Sequence, residues 1–489
     1  MTDFLWTDAS VRRALGLRSD LAEEGVEYTG VSTDSRSVRD GDLYVALVGD
    51  HFDGHDFVAD ALSRGAGGAV VSQPAAGDPP MARLYPVEDT LVALGRLAAF
   101  RRASLDAPVV AITGSSGKTS TKDMMAAALS ATLRVHATSG NLNNRIGMPL
   151  TMLSTPLDAE AVVLELGTNE PGEIATLAQI ARPDLAVITT VGASHLEKLG
   201  SVEGVLEEKL DLLRHMAEGG RCVVGDEPAR LAERARALCS GVRVIGWSER
   251  ADDAGRPGHP DVDVFGKYSF EWRGQRVTAP MFGRHGVTNA MMALTVAELL
   301  GVPVRDAIRG LSTTTQSAMR GEYRRIGDLT LIVDCYNANP QSVRASLDVL
   351  ESQGVAARKV AVLGSMLELG TEAESLHRAV LADALTRDID LVVATGLFGD
   401  AASEVVRSGP EIVADRLITA TAWEDAYQEL RERLRGDEIL LLKASRGVAL
   451  EGILPLLEGD FGDSSVSGDA IAAPENPSTP MAPLGRVEA

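Results

Sequence analysis

The sequence contains few cysteines and no long apolar run. Its 489 residues include only Cys222, Cys239 and Cys335, which are too few and too widely spaced for a disulfide framework or a zinc site. The N-terminal residues lack a basic segment followed by an apolar core, and no run reaches the roughly 18 apolar residues of a membrane span. We therefore expect a cytoplasmic protein without a membrane span.

Basic residues are also in short supply. The chain has 47 Lys and Arg against 69 Asp and Glu, which gives a formal net charge of −22. This balance argues against a protein that coats nucleic acid or an anionic membrane, and an anionic substrate has to be bound by local groups. A chain of this length exceeds one hydrophobic core, so several domains are expected.

Three α/β segments and a tail follow one another along the chain. Residues 1–106 carry short strands such as "GDLYVAL" and "GGAVVS" with helices around them. In residues 107–321 and again in 322–458, buried strands alternate with helices, which is typical of parallel sheets covered on both faces. Residues 459–489 are rich in Ser, Pro, Gly and Asp, which predicts a disordered tail. The prediction is an α/β protein with a small N-terminal domain, a central P-loop domain and a C-terminal Rossmann-like domain.

The stretch "VVAITGSSGKTSTKDMM", residues 109–125, predicts a phosphate-binding loop between a strand and a helix. Gly114 and Gly117 allow backbone N–H groups to point at an anion, and the helix N-terminus adds partial positive charge. Lys118, expected to be exposed, supplies a full charge, and Thr119 supplies a hydroxyl for Mg²⁺. Because Ile112 replaces the first Walker A glycine, an ordinary strand-to-helix turn is the alternative. The predicted ATP-binding loop comprises Gly114, Ser115, Ser116, Gly117, Lys118, Thr119 and Ser120.

Polar residues follow two further strands of the predicted central sheet. Glu165 ends the strand in "VVLELG", and His195 follows the strand in "ITTVGASH". Ligands of parallel α/β sheets bind at the carboxyl ends of the strands, so both side chains are expected near the phosphate loop. A carboxylate and an imidazole beside a triphosphate are candidate ligands of Mg²⁺ or Mn²⁺. For His195 taken alone, a surface or core position is the alternative.

Eight segments of the chain occur in the order known from one enzyme family. They read "STDSRSVRDGDLYVAL", "HFDGHDF", "GNLNNRIGMPLT", "ELGTNEPGEI", "SHLEKLGSVEGVLEEK", "DCYNANPQSV", "VLGSMLELG" and "LLKASRG". With these segments and "TGSSGKT", a loop without the first Walker glycine, the chain resembles the Mur ligases, which form amides with ATP in peptidoglycan precursor synthesis. Within the family it is most similar to the MurF branch, over nearly the whole chain before the tail.

The resemblance implies an ATP-dependent ligase that joins D-alanyl-D-alanine to UDP-N-acetylmuramoyl-tripeptide through an acyl phosphate. Lys118 and Thr119 would hold the outer phosphates and one Mg²⁺, and Glu165 and His195 would bind magnesium, with two sites in all. Lys209 matches a lysine that the family carbamylates with CO₂, and a carbamate can ligate a metal that repels an ammonium. Without the resemblance, a solvated lysine on a helix is the interpretation of Lys209. A monomer is expected.

The resemblance also implies binding roles outside the loop. Asn289 would contact adenine, Arg320 would reach the nucleotide from a hinge at residues 317–322, and Asp334 would touch it from the third domain. The residues implied in substrate binding are Asp34, Ser35, Arg36, Asn141, Asn143, Asn144, Tyr336, Asn337 and Asn339. Plain polar turns are the alternative for "TDSR" and "YNANP", and His51 and His55 fit a structural turn as well as a substrate contact.

Some positions depart from the pattern of the family, and some functions stay open. Val333, Ser365 and Ala444 replace two aspartates and a glycine, and Met319 replaces the hinge glycine. These departures affect contacts in the third domain, chiefly those to the dipeptide. A sister ligase that adds one amino acid, such as the MurE branch or folylpolyglutamate synthase, and a kinase or NTPase with the same loop are the alternatives. The third residue of the tripeptide and the base for the amine are not specified.

Overall fold

The computed structural model describes residues 6–49, 51–73, 83–264, 266–354, 357–408 and 415–462. It has the predicted α/β architecture, in which three successive domains are each built around a sheet. Within these ranges, no helix combines the length and the apolar character that a membrane crossing requires.

The first domain contains a four-stranded parallel sheet beside a two-stranded antiparallel ribbon. Its elements are β1 (Trp6–Thr7), α1 (Asp8–Leu15), β2 (Glu27–Tyr28), β3 (Val31–Ser32), β4 (Leu43–Val45), α2 (Val58–Ser63), β5 (Gly68–Val71), β6 (Arg83–Pro86) and α3 (Thr90–Ala103). The Asp89 side chain caps α3 by accepting hydrogen bonds from two backbone N–H groups of its first turn.

The central domain has a six-stranded parallel sheet in the order β12-β11-β10-β7-β9-β8, with a three-stranded antiparallel sheet beside it. The strands are β7 (Val109–Thr113), β8 (Val135–Ala137), β9 (Ala161–Glu165), β10 (Leu185–Ile188), β11 (Arg221–Gly225), β12 (Val242–Ile245), β13 (Gly258–Val262), β14 (Lys267–Trp272) and β15 (Gln275–Phe282). The helices are α4 (Lys118–Ser130), α5 (Gly147–Leu153), α6 (Glu173–Ala181), α7 (Leu196–Leu199), α8 (Val202–Arg214), α9 (Ala229–Leu238), α10 (Gly283–Leu299) and α11 (Val304–Leu311). Strand β7 lies between β9 and β10. The phosphate loop, which follows β7, therefore lies at the middle of the carboxyl edge of the sheet.

The third domain has a six-stranded sheet in the order β16-β17-β21-β18-β19-β20, parallel except for β16. Its strands are β16 (Glu322–Ile326), β17 (Leu329–Asp334), β18 (Lys359–Leu363), β19 (Leu391–Thr395), β20 (Leu417–Ala420) and β21 (Ile439–Lys443). Its helices are α12 (Pro340–Glu351), α13 (Ala373–Thr386), α14 (Leu397–Ser408), α15 (Trp423–Arg433) and α16 (Leu454–Phe461). Strands β17, β18, β19 and β21 are buried along almost their whole length, as their apolar sequences predict.

The ordered chain extends past the predicted start of the tail at residue 459. Helix α16 ends at Phe461, whose ring packs against the core of the third domain. Asp460 Oδ2 accepts a hydrogen bond from Tyr427 Oη at 2.7 Å and lies 2.9 Å from Arg431 Nε. The prediction of disorder is therefore wrong for residues 459–462, and its remainder lies outside the described residues.

A chain that ends at Gly459 is expected to be less stable than one that ends at Gly462. The shorter chain loses the packing of Phe461 and both contacts of Asp460, together worth about 1–2 kcal/mol. We expect its thermal midpoint to be lower by about 2–8 °C. Differential scanning calorimetry of the two chains checks this, and equal midpoints would show that the last turn of α16 contributes nothing.

Candidate active site

The phosphate loop requires glycine at two positions for different reasons. Gly114 has φ 154°, and a Cβ there would lie 1.9 Å from Thr189 Oγ1 on the neighbouring strand connection. Gly117 has φ 81° in the left-handed region, and its Cβ would lie 3.0 Å from Asn289 Oδ1. The loop is fixed by Ser115, whose N–H donates to Thr190 O at 2.8 Å. Because this backbone leads directly into α4, its N–H groups lie at the positive end of the helix dipole, where both favour an anion.

Lys118 is half-buried rather than exposed, which corrects the prediction from the sequence. Its Nζ folds back over the loop and donates a hydrogen bond to Gly114 O at 2.8 Å. Burial lowers the pKa of Lys118; Glu165 nearby opposes this change and Arg320 adds to it. The ammonium group thus lies where a phosphate bound to the loop would compensate its burial.

Glu165 presents an unpaired carboxylate oxygen at the end of β9. The residue is 1% exposed, and its Oε1 accepts a hydrogen bond from Asn143 Nδ2 at 2.8 Å. Its Oε2 is buried and has no hydrogen-bond partner in the described parts of the chain. A buried anionic oxygen without a partner is costly, so the position is suited to a cation.

His195 lies at the same edge of the sheet, after β10. It has φ 53° and precedes the short helix α7. Its Nδ1 is 2.7 Å from Glu368 Oε2 of the third domain, although the angles at the two atoms are not those of an aligned hydrogen bond. The described residues contain no cluster of three or more His, Cys, Asp or Glu side chains suited to a metal. A metal here would therefore also need hydroxyl or phosphate oxygens.

Lys209 is buried on α8, which makes the alternative of a solvated lysine wrong. The residue is 1% exposed, and among the described residues its Nζ has neither a hydrogen bond nor an ion pair. Burial is the main reason that the pKa of Lys209 is well below its usual range, and repulsion by Lys118 contributes. The adjacent Glu208 raises this pKa, but its carboxylate accepts hydrogen bonds from Thr168 and from two backbone N–H groups.

The polar loop of the third domain, residues 335–339 between β17 and α12, lies against the phosphate loop. Asn339 caps α12 and also donates from Nδ2 to Ser115 O at 3.2 Å. Asp334 Oδ2 lies 2.8 Å from Lys443 Nζ, which also donates to Asn337 O at 2.6 Å. Asp334 is thus paired with a buried lysine.

A cavity of about 270 Å³ lies between the central and third domains. It collects most of the residues predicted for nucleotide, metal and substrate binding. Those that line it are Ser115, Ser116, Gly117, Lys118, Thr119, Ser120, Asn143, Glu165, His195, Asn289, Arg320, Asp334, Tyr336, Asn337 and Asn339. The guanidinium carbon of Arg320 lies 3.9 Å from the ring centroid of Tyr336, so these two side chains stack at the cavity.

Several predicted residues do not line this cavity. Asp34, Ser35 and Arg36 belong to the first domain, where Arg36 Nε and Nη2 donate to the Asp34 carboxylate at 2.9 and 2.7 Å. These hydrogen bonds lower the pKa of Asp34 to about 2. Asn141 and Asn144 are exposed, and Asn144 Oδ1 accepts hydrogen bonds from backbone N–H groups at the start of α5.

The first-domain motif around His55 forms a structural turn. His55 is 3% exposed, with Nδ1 2.6 Å from Asp53 Oδ1 and Nε2 accepting from Ser72 N at 2.9 Å. Both ring nitrogens are thus occupied. The sequence left a structural turn and a substrate contact open for His55, and the structure favours the turn.

The cavity also contains residues that the sequence did not indicate. Phe282 and Tyr323 stack with their ring centroids 4.0 Å apart, near Asn289 on α10. His285 is one turn before Asn289, and burial lowers its pKa. The segment "RHGVTN" contains both His285 and the predicted Asn289, so His285 could have been found from the sequence. The Phe282–Tyr323 stack joins two domains and has no local sequence signal.

The predicted hinge contains two residues in the left-handed region. Gly321 has φ 74°, and Met319 has φ 57° where the family has glycine. Met319 is held by its N–H, which donates to Glu322 Oε2 at 3.1 Å, and by its sulfur, 3.1 Å from Arg446 Nη1. Ser317 Oγ donates to Asp123 Oδ2 on α4 at 2.7 Å, which connects the hinge to the helix of the phosphate loop.

Three family models match the chain in order along its length. They are the Mur ligase family catalytic domain at residues 27–102, the Mur ligase middle domain at 112–297 and the Mur ligase glutamate ligase domain at 319–446.

Curated relatives cover most of the chain. The UDP-N-acetylmuramoyl-tripeptide--D-alanyl-D-alanine ligase of Bacillus subtilis is 36% identical over 452 residues, which is 90% of this chain and 95% of that protein. The ligase of the same name from Escherichia coli is 34% identical over 453 residues, 90% and 96% of the two chains.

Solved structures agree with these relatives. MurF from Acinetobacter baumannii superposes with a TM-score of 0.83 at 29% identity, covering 94% of this chain and 100% of the other. MurF from Thermotoga maritima, solved in complex with ADP, has a TM-score of 0.77 at 29% identity and covers 88% and 97%. The matches to three successive domain models, together with relatives more than 30% identical over almost their full length, show that the chain belongs to the Mur ligase family.

Proposed function

We propose that the chain is an ATP-dependent ligase that joins D-alanyl-D-alanine to UDP-N-acetylmuramoyl-tripeptide in peptidoglycan precursor synthesis. The observation that carries the proposal is that the phosphate loop, Glu165 and His195 share one cavity with the polar loop of the third domain. The names of the curated relatives support this reaction. We assign the UDP end to residues 1–106, ATP to residues 107–321 and the dipeptide to residues 322–458.

ATP is proposed to bind with its phosphates on the loop and its base beside α10. The backbone N–H groups that follow Gly114 and the Lys118 ammonium provide positive charge for the β- and γ-phosphates. The stacked Phe282 and Tyr323 offer an apolar wall for a planar base, and the Asn289 amide offers hydrogen bonds to its edge. Arg320, stacked on Tyr336, would reach the nucleotide from the hinge.

The residues at the edge of the sheet fit Mg²⁺. The buried, unpartnered Oε2 of Glu165, the buried Thr119 and His195 would hold it, and Mg²⁺ when bound would neutralise charge on the transferred phosphoryl group. A second site would use Lys209 as a carbamate. The lowered pKa of Lys209 supports this, because a neutral amine is the form that reacts with CO₂.

The proposed reaction needs alignment and charge neutralisation rather than a protein nucleophile. A carboxylate oxygen at the end of the tripeptide attacks the γ-phosphorus, and ADP leaves. The dipeptide amine then attacks the acyl carbon, and phosphate departs with the former carboxylate oxygen. Lys118 stabilises the developing charge, and the loop fixes the geometry. Cys335 takes no part, because burial raises the pKa of its thiol to about 12.

In the first domain, Asp34, Ser35 and Arg36 remain candidates for contact with the UDP end. The exposed Arg36 guanidinium can bind a diphosphate if it leaves Asp34, and a surface pair of this kind contributes little to stability. A monomer as the working unit stays a prediction. ATP and a UDP-linked substrate support a cytoplasmic location.

ADP release in a coupled assay tests the proposal. We expect rapid release only when ATP, Mg²⁺, a UDP-tripeptide and D-alanyl-D-alanine are all present. Tripeptides ending in meso-diaminopimelate and in lysine, tried in parallel, identify the accepted third residue. Equal release without the dipeptide would favour a kinase or NTPase, and release supported by a single amino acid would favour a sister ligase.

A further inference from the structure

The segment of the third domain that faces His195 is held rigidly by its own domain. His377 is fully buried and accepts a hydrogen bond at Nε2 from Met366 N at 2.9 Å, while its Nδ1 lies 2.6 Å from Ala373 O. Leu367 N donates to Ser445 Oγ at 3.0 Å. This segment, residues 364–370, is the larger part of the "VLGSMLELG" motif, which spans residues 362–370.

Glu368 is presented from this segment in an unusual backbone conformation. Its φ of 64° lies in the left-handed region, which a residue with a side chain rarely adopts unless its surroundings impose it. His195, opposite, has φ 53°. Such conformations concentrate where a side chain must point in one particular direction.

The two domains meet closely around this pair. Glu197 N donates to Glu368 O at 3.1 Å, and a Cβ on Gly370 would lie 3.0 Å from Glu197 Cα. Glycine at 370, with φ 55°, therefore permits the approach that brings the Glu368 carboxylate to 2.7 Å from His195 Nδ1. The contact thus depends on the third domain being seated on the central domain.

We propose that Glu368 is a positioning residue for His195, so that docking of the third domain completes the metal site. The Glu368 carboxylate lies 2.7 Å from His195 Nδ1, and an ionised carboxylate only accepts hydrogen bonds. When the two groups align, the carboxylate would keep the imidazole proton on Nδ1 and leave Nε2 as the free donor of a lone pair. A metal-ligating histidine oriented in this way by a carboxylate is the more basic ligand. The inference rests on the proposed function, because it takes His195 as a magnesium ligand.

A positioning role and a purely structural ion pair predict different effects for the loss of Glu368, on metal affinity and on stability respectively. Half of the Glu368 side chain is exposed, so the pair contributes little to stability. Its removal should instead weaken the metal site whose ligand it orients. Loss of such an orienting partner typically lowers metal affinity by about 10- to 100-fold.

The test measures Mn²⁺ binding by electron paramagnetic resonance of the free ion. Wild type, Glu368→Ala, Glu368→Gln and His195→Ala are titrated with Mn²⁺ in the presence of a non-hydrolysable ATP analogue and UDP-tripeptide. The site of interest is the one that His195→Ala removes. We expect Glu368→Ala to bind Mn²⁺ about 10- to 100-fold more weakly at that site, and Glu368→Gln to lie between it and wild type.

Two comparisons keep the test specific. Glu372→Ala removes another exposed carboxylate just after the same segment and should leave Mn²⁺ affinity unchanged. The His195→Ala/Glu368→Ala double variant should bind Mn²⁺ no more weakly than His195→Ala alone. In turnover, Glu368→Ala should raise the Mg²⁺ concentration for half-maximal rate more than it lowers kcat at saturating Mg²⁺.

Wild-type Mn²⁺ affinity in a folded Glu368→Ala protein would overturn the inference, as would a further loss in the double variant. Either result can occur with normal ligase activity, in which case the proposed function stands. Conversely, ADP release by wild type without the dipeptide would contradict the proposed function, whereas the Mn²⁺ titration would still report on Glu368.

Discussion

Replacement of Lys118 by alanine is expected to lower ATP turnover by about 10²- to 10³-fold or more while the chain stays folded. The side chain supplies the full positive charge of the phosphate loop, and removal of one preorganised group that stabilises transition-state charge has effects of this size. The fold should survive, because within the described part of the chain Lys118 donates one hydrogen bond, to Gly114 O, and water can replace it. Steady-state ADP release and circular dichroism measure the two effects.

Lys267→Ala provides the matched control for this experiment. Lys267 is also half-buried in the central domain, at the start of β14, but it does not line the cavity. We expect wild-type turnover from this variant. Normal ligation by a folded Lys118→Ala protein would contradict the assignment of the loop to ATP.

Lys209→Met is expected to separate stability from activity. The buried ammonium of Lys209 has no partner among the described residues, so an apolar side chain of similar length should stabilise the fold by roughly 1–3 kcal/mol. The same change removes the amine that would carry the carbamate, and we expect turnover to fall by about 100-fold or more. Chemical denaturation in CO₂-free buffer and the ADP-release assay measure the two effects.

The stability gain of Lys209→Met should depend on pH in one direction. The pKa of Lys209 is lower in the folded chain than in the unfolded chain, so the unfolded state binds more protons and wild-type stability rises with pH between the two values. The advantage of the methionine variant is therefore full below the folded pKa. It shrinks as the pH rises toward about 10.4, the value for an unfolded chain.

Replacement of a second buried lysine, Lys359, by methionine is expected to lower stability rather than raise it. Lys359 is 9% exposed, but its Nζ donates to Glu351 O at 2.7 Å and lies 3.6 Å from Asp388 Oδ2. Lys359→Met should therefore destabilise the third domain, because Glu351 O loses its donor and Asp388 loses its ion-pair partner. If both variants lose stability, the account of Lys209 as an unpartnered ammonium is wrong.

The sequence predicted those elements whose physical signal is local. Strands β7, β9 and β10 are continuous apolar runs, and the spacing of Gly114, Gly117 and Lys118 is set by the geometry of phosphate binding. Strand β13 gave no such signal, because it reads "GHPDV" and is largely exposed. Its pairing with β14 is set by tertiary structure rather than by its own pattern.

The parts of the site that the sequence did not predict depend on contacts between distant segments. The burial of Lys118 and Lys209 follows from packing, which the pattern of a loop or a helix does not specify. The pairing of Glu368 with His195 requires the docking of one domain on another. At Met319, the departure from glycine is tolerated because neighbours hold its N–H and its sulfur in the left-handed conformation.

Transfer of oxygen from the tripeptide carboxylate tests the central claim most directly. With ¹⁸O in both oxygens of that carboxylate, the acyl-phosphate route predicts that each released phosphate carries one ¹⁸O, because the C–O bond breaks when the dipeptide amine attacks the acyl carbon. Mass spectrometry of the phosphate measures this transfer. Phosphate without ¹⁸O in a reaction that consumes ATP would contradict the account, because the γ-phosphoryl group would then have gone to water or another acceptor.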